Sequence, residues 1–164
     1  MANPLPNENE LYERIKKEGI HIDPGIWDLI YHRAGDDLSA IHLLCQYYLT
    51  SGEAIPAAEA TKILAYTRDI KDVINTLTVV SKEDCSFPQV RDDIPLHPII
   101  REMFTHYIGN DVYVINLIVQ DAIDPLCPGA VTCDAAQKIL SRVRSTKDFM
   151  ERLRLATFRS PRNL

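Results

Sequence analysis

Residues 112–119 read Val-Tyr-Val-Ile-Asn-Leu-Ile-Val. Taken alone, this β-branched run has the composition of a strand. Its reading decides the fold class, because a strand here would need a sheet to join. The decision comes from another part of the chain. Residues 38–45, displaced by 74 positions, read Leu-Ser-Ala-Ile-His-Leu-Leu-Cys and are helical in character. The two stretches belong to a longer match. Residues 20–49 set against 94–123 share nine of 30 positions. These are Ile20/Ile94, Pro24/Pro98, Ile26/Ile100, His32/His106, Gly35/Gly109, Asp37/Asp111, Ile41/Ile115, Leu43/Leu117 and Gln46/Gln120. After a two-residue length difference in the next loop, residues 57–80 match 133–156 at eight of 24 positions, including Lys62/Lys138, Arg68/Arg144, Lys71/Lys147 and Leu77/Leu153. Random pairing of ordinary compositions gives roughly a quarter of this agreement. Equivalent segments share a fold, so residues 112–119 are expected to be helical.

The chain is therefore expected to be all-α: a tandem duplication of a four-helix unit, forming two pseudo-twofold-related helical repeats, with an extra N-terminal helix. That makes about nine helices. The expected organisation is an N-terminal arm (1–19), repeat 1 (20–80), a linker (81–93), repeat 2 (94–158) and a tail (159–164). The first helix runs from Glu8 to Glu18. In each repeat, Pro24 or Pro98 opens helix A, since proline's fixed φ suits the first turn. Asp23 is a plausible N-cap for the first of these. Gly35 and Gly109 are expected to stop helix A, and Asp36 or Asp37, and Asn110 or Asp111, to cap helix B. Helix C follows Pro56 in one copy and a Thr132 cap in the other. Helix D is expected to begin near Asp69 and near Ser145.

A hydrophobic fraction of 46% with 25% charged residues is that of a globular protein rather than a disordered or fibrous one. Residues 112–119 are too few to span a bilayer. The N-terminus lacks the basic start and apolar core of a signal peptide, so a cytoplasmic protein is expected, not a membrane one. Cys45, Cys85, Cys127 and Cys133 are then reduced thiols, and their spacing matches no zinc pattern. Charge is uneven. Residues 1–135 carry 21 acidic and 10 basic side chains, and residues 136–164 carry 2 and 8. The simplest account is a basic last helix lying against an acidic body.

Asp28 precedes His32, and Glu102 precedes His106, by four residues, which puts carboxylate and imidazole on one helix face. Two such pairs are the candidate metal ligands, although the further carboxylates of a di-iron bundle are missing. The ordinary alternative is an intrahelical ion pair near a helix C-terminus. A cysteine nucleophile at Cys45 paired with His42 or His32 is the catalytic candidate, against plain core packing of a small thiol. There is no phosphate loop, serine elbow or His-Glu-x-x-His motif. No cofactor is expected.

Residues 55–74 also suit a helix-turn-helix, with Arg68 and Lys71, and in the second copy Arg144 and Lys147, facing DNA. The acidic first copy opposes phosphate attraction. The leading expectation is a non-catalytic regulatory or protein–protein interaction protein, with a DNA-binding regulator as the alternative. The partner-binding candidates are Lys62, Arg68, Lys71, Lys138, Arg144 and Lys147, with Trp27, Tyr47, Tyr48 and Tyr66 as aromatic anchors.

Overall fold

The structure, a computed structural model, describes residues 7–22, 24–79, 96–124 and 129–157. Among them the chain is all-helical, with five helices and no strand element. Helix α1 spans Glu8–Glu18, as its sequence predicts. The Asn7 side chain caps it by accepting from the Asn9 N–H, and Gly19 closes it in the left-handed conformation at φ 65°. Helix α2 covers residues 24–51 without interruption: an α-helical start, Pro24–Leu29, a π-helical segment, Ile30–Gly35, and a longer α-helical part, Asp36–Ser51. Helix α3 is Ala57–Val79. Helix α4 repeats the composite form over residues 98–122: Pro98–Met103, a π-helical Phe104–Ile108, then Gly109–Ala122. Helix α5 is Cys133–Ala156, and its N-cap is Thr132, which accepts from the Ala135 N–H as expected.

The strand-like run is helical. Within Gly109–Ala122 the buried side chains are Asp111, Val112, Ile115 and Val119. The apolar three repeat at helical spacing, and burying that face outweighs the local β preference.

Two expectations about helix boundaries are corrected. Gly35 and Gly109 do not stop a helix: both have helical dihedrals, φ −64° and ψ −42° at Gly35, φ −58° and ψ −44° at Gly109. The buried positions explain why the helix continues. Ile26, Ile30, Ala34 and Leu38 are spaced four apart, as are Ile100, Phe104, Ile108 and Val112. An α-helix turns 3.6 residues at a time, so three successive steps of four would carry the apolar face off the core. A wider π turn takes up the extra residue and holds the face in line. With no helix end there, Asp36, Asp37, Asn110 and Asp111 have no terminus to cap, and no side-chain cap hydrogen bond forms at either position.

The second correction concerns helices C and D. They are one helix in each half, α3 and α5, with no break at Asp69 or Ser145. Neither helix contains an internal glycine or proline to break it. Thr67 and Thr146 are fully buried; Thr67 donates its hydroxyl to the Leu64 carbonyl at 2.9 Å, and Thr146 Oγ1 lies 3.1 Å from the Arg142 carbonyl oxygen while its proton is shared with Asp111. Where four helices are expected in each half, the structure has two, joined as a hairpin. The Asp23 cap, Cys85, Cys127, the linker 81–93 and the tail 159–164 lie outside the described residues.

The long part of α2 packs against α3 and α5, and the long part of α4 packs against the same two helices. The hairpin loops meet at one end of the bundle. Ile55 and Val131 are both fully buried and exchange two backbone hydrogen bonds of 2.8 and 2.9 Å. Cys133 Sγ lies 3.7 Å from the Glu53 carbonyl oxygen beside them. Neighbouring helices thus run antiparallel in an up-down-up-down bundle. Leu38, Ile41, Ile63, Ile70, Ile115 and Ile139 fill its centre. At the other end α1 lies on α5. There Phe149 gathers the rings of Tyr12, Phe104 and Tyr107 at centroid distances of 6.5, 6.0 and 5.1 Å. Arg152 stacks over Tyr12 at 4.6 Å and hydrogen-bonds Asn9. No helix among the described residues is long and apolar enough to cross a membrane.

Candidate interaction surface

The outward face of the bundle carries apolar side chains where solvated polar ones are the rule. On α2, Leu43 is 68% exposed and Tyr47 is as open. On α4, Tyr113 and Leu117 are exposed. Leu43 and Leu117 are separated by the same 74 positions that relate the two halves of the sequence. Each helix turns its core residues inward and leaves an apolar pair, four residues apart, on the opposite side. Tyr47 lies edge-on to Tyr48 at a centroid distance of 5.2 Å. Tyr48, Tyr66 and Trp27 are half-buried and packed on the core.

The basic candidates lie on α3 and α5. Lys62 is taken up by Glu59 at 3.0 Å. Arg68 and Lys71 on α3, and Lys138 and Arg144 on α5, are exposed, and Lys147 is half-buried. Lys147 lines an open groove of about 350 Å³ between α2 and α5, together with Tyr31, Asp36, Ser39, Met150 and Glu151. Burial, and then the charges of Lys147 and Arg144, hold His42 below the usual histidine range. His42 Nδ1 is buried with no hydrogen-bond partner. Displaced by 74 positions, Asn116 is better served, donating to the Thr67 hydroxyl at 3.2 Å.

The proposed metal ligands are not brought together. Asp28, His32, Glu102 and His106 are all exposed, the histidines on the two π-helical segments. Among the described residues no three His, Cys, Asp or Glu side chains gather around one point. Cys45 is fully buried, and burial pushes its thiol up to about 11, so the thiolate needed of a nucleophile is disfavoured. The helix-turn-helix loses its turn, because residues 57–79 form a single helix.

Two polar arrangements escape a reading of the sequence. Asp111, buried on α4, accepts from Arg142 at 3.2 Å and from the Thr146 hydroxyl at 2.9 Å, which ties α4 to α5. Asp37, displaced by 74 positions on α2, has a buried Oδ2 with no hydrogen-bond partner, and burial, then the neighbouring Asp69 of α3, push it up to about 7. Asp69 is in turn bound by Arg33 at 2.8 Å. Both acids looked like caps or solvated charges because their facing residues come from another helix. Compared with known proteins, the chain matches no family model, no curated protein and no solved structure.

Proposed function

We propose that this protein is a non-catalytic helical interaction protein, regulatory in character, that docks a protein partner through the outward faces of α2 and α4. The observation that carries this reading is the exposure of Leu43 and Leu117, with Tyr47 and Tyr113 beside them. An apolar face on a bundle helix that already buries its opposite side is a surface for another protein. Aromatic side chains supply the contact area that interfaces concentrate.

The reading includes a duplicated origin for the two hairpins, revised from a four-helix to a two-helix unit. Four features support it: the sequence match, π-helical segments at 30–35 and 104–108, the paired Ile55 and Val131, and the exposed leucines. On this view the two faces are copies of one docking surface, and the basic side chains Arg68, Lys71, Lys138, Arg144 and Lys147 of α3 and α5 are further candidate contacts.

The test is a double substitution, Leu43→Asp with Leu117→Asp, in the full chain. Both residues are exposed, so the melting temperature should stay within a few degrees of wild type. Partner capture from the native host should be lost in the variant and kept by wild type. Capture that survives both substitutions sinks the proposal. So does DNA binding in a gel shift that weakens steeply with salt and disappears on Arg144→Glu.

A further inference from the structure

Lys147 is half-buried and has no carboxylate partner among the described residues. Arg144, one turn back along α5, has none either. Taking an ammonium part-way out of water without a counter-charge costs stability, and an anion arriving from outside offsets that cost. The surroundings of Lys147 form the open groove of about 350 Å³ between α2 and α5. Leu38 and Met150, both buried, make an apolar floor. On the α2 wall Gly35 has no side chain and Ser39 has a small one, so the groove is open above that floor. Tyr31 lines it as well, with its hydroxyl 3.5 Å from Glu151.

Two acids line the groove, and neither supplies the missing counter-charge. Glu151 is engaged by Arg154 at 2.7 and 3.1 Å, which holds it below the usual carboxylate range. Asp36 is exposed and forms no ion pair with Lys147. Asp148, next to Lys147 in sequence, is exposed and does not line the groove. Arg144, Lys147 and Arg154 against Asp36 and Glu151 leave the seam positive. His42 follows Ser39 by three residues on α2, and its low basicity answers to both Lys147 and Arg144, so their field reaches along the seam. Leu43 follows Ser39 by four, and Tyr47 comes a turn later, both widely exposed. A cationic groove with an apolar floor thus runs beside an exposed apolar stripe.

We propose that the α2–α5 groove docks an acidic peptide segment of the partner, with a carboxylate on Lys147 and a neighbouring apolar side chain on Leu43. This rests on the reading of the chain as an interaction protein, and it adds the chemistry of the partner. Charge complementarity selects the segment, since a basic one would meet Lys147 and Arg144 unscreened. About 350 Å³ is at the small end of ligand pockets and takes one or two side chains, so a segment enters and not a domain. The two halves share their leucine and differ here. In the second half Ser39 corresponds to Tyr113 and Tyr31 to Thr105, while Lys147 corresponds to Lys71. A small residue at position 39 is what keeps the groove of the first half open.

The experiment is selection of a phage-displayed library of random peptides on the full-length protein, followed by fluorescence anisotropy with the selected peptides. Those peptides should carry Asp or Glu beside a leucine or an aromatic residue. Lys147→Glu should weaken them by about tenfold or more. Ser39→Tyr, which brings the second-half residue into the groove, should do the same without a change of charge. Lys17→Glu, an equal charge change at an exposed site on α1, should leave binding within about threefold. Replacing the acids of the peptide by their amides repeats the test without altering the protein, and so decides the matter if a variant folds poorly. The proposal is overturned if no peptide is selected, if the selected peptides lack acids, or if Lys147→Glu and Ser39→Tyr bind them as wild type does. Peptides lost on Leu43→Asp with Leu117→Asp but kept by Lys147→Glu overturn the groove and leave the interaction reading standing. Acidic peptides lost on Lys147→Glu but kept by the leucine pair uphold the groove and overturn docking on the outward faces.

Discussion

Asp37 and Asp111 occupy corresponding places in α2 and α4, one after each π-helical segment, yet their surroundings differ. Around Asp111 the facing helix offers Arg142 and Thr146. Shifted by 76 positions, the same two places on α3 are Tyr66 and Ile70, neither of which serves Asp37. Asp69 stands where the second half has Ser145. The acid is shared and its partners are not. In the second half it is a structural tie with its lone pairs engaged. In the first half it is a carboxyl with a buried, unpartnered Oδ2, pushed up to about 7 by burial and then by Asp69. Two hairpins with one backbone plan thus leave the same acid satisfied in one half and unpartnered at Oδ2 in the other, through differences on the opposing helix.

The largest expected difference between the halves comes from removing the acids. Asp111→Ala deletes two hydrogen bonds, one of them charge-assisted, and should destabilise the fold by about 2 kcal/mol. The penalty stays below that of breaking a fully buried pair, because the Arg142 side chain is 47% exposed and its charge returns to water. Thermal melts at pH 7 should show a fall of roughly 4–8 °C. Asp37→Ala at pH 8 removes a repulsion and a poorly solvated group, and should leave the melting temperature unchanged or slightly raised. Equal losses from the two substitutions would erase the contrast.

Smaller is the effect of the polar bond that joins the hairpins. Thr67→Val leaves the Asn116 amide without its acceptor in a half-buried setting, at a cost of about 1 kcal/mol in urea unfolding. The corresponding place on α5 is Val143 already, and His42, in the place of Asn116, has an unpartnered Nδ1. An unchanged unfolding midpoint for Thr67→Val would mean that the two cross-hairpin contacts are alike after all.

How much of this was legible in the sequence depends on where the deciding residues lie. The helical reading of residues 112–119 was available because residues 38–45 carry the same positions in an unambiguous form. The α1 boundaries and the Thr132 cap were available because caps are local. The π turns were also written there, as apolar steps of four at 26–30–34–38 and 100–104–108–112, but the glycines that follow read more strongly as helix stops. The Asp37–Asp69 proximity and the Asp111–Arg142 contact were not legible, because their partners are about 30 residues away on a different helix and nothing local reports the pairing. Leu43 and Leu117 were visible as an identity, but identity does not say which helix face meets solvent.

The two glycines offer the smallest effect and the sharpest sign. A glycine that ends a helix sits in the left-handed region, where an alanine is strained by roughly 1–2 kcal/mol. Gly19 and Gly52 are of that kind here, with φ of 65° and 71°. Gly35 and Gly109 are not. In a helical conformation alanine loses less backbone entropy than glycine, so each substitution should stabilise by about 0.5–1 kcal/mol. At Gly109 an added Cβ meets nothing within 4 Å, and the full gain is expected. At Gly35 the Cβ comes to 3.7 Å from Tyr31 Cδ1 and 3.8 Å from the Ile30 carbonyl oxygen, ordinary contacts that leave the sign unchanged. Gly35→Ala and Gly109→Ala should therefore both raise the midpoint of urea unfolding. A lowered midpoint at either position would mean that the helix ends there, and would separate the π turn of that half from its counterpart in the other.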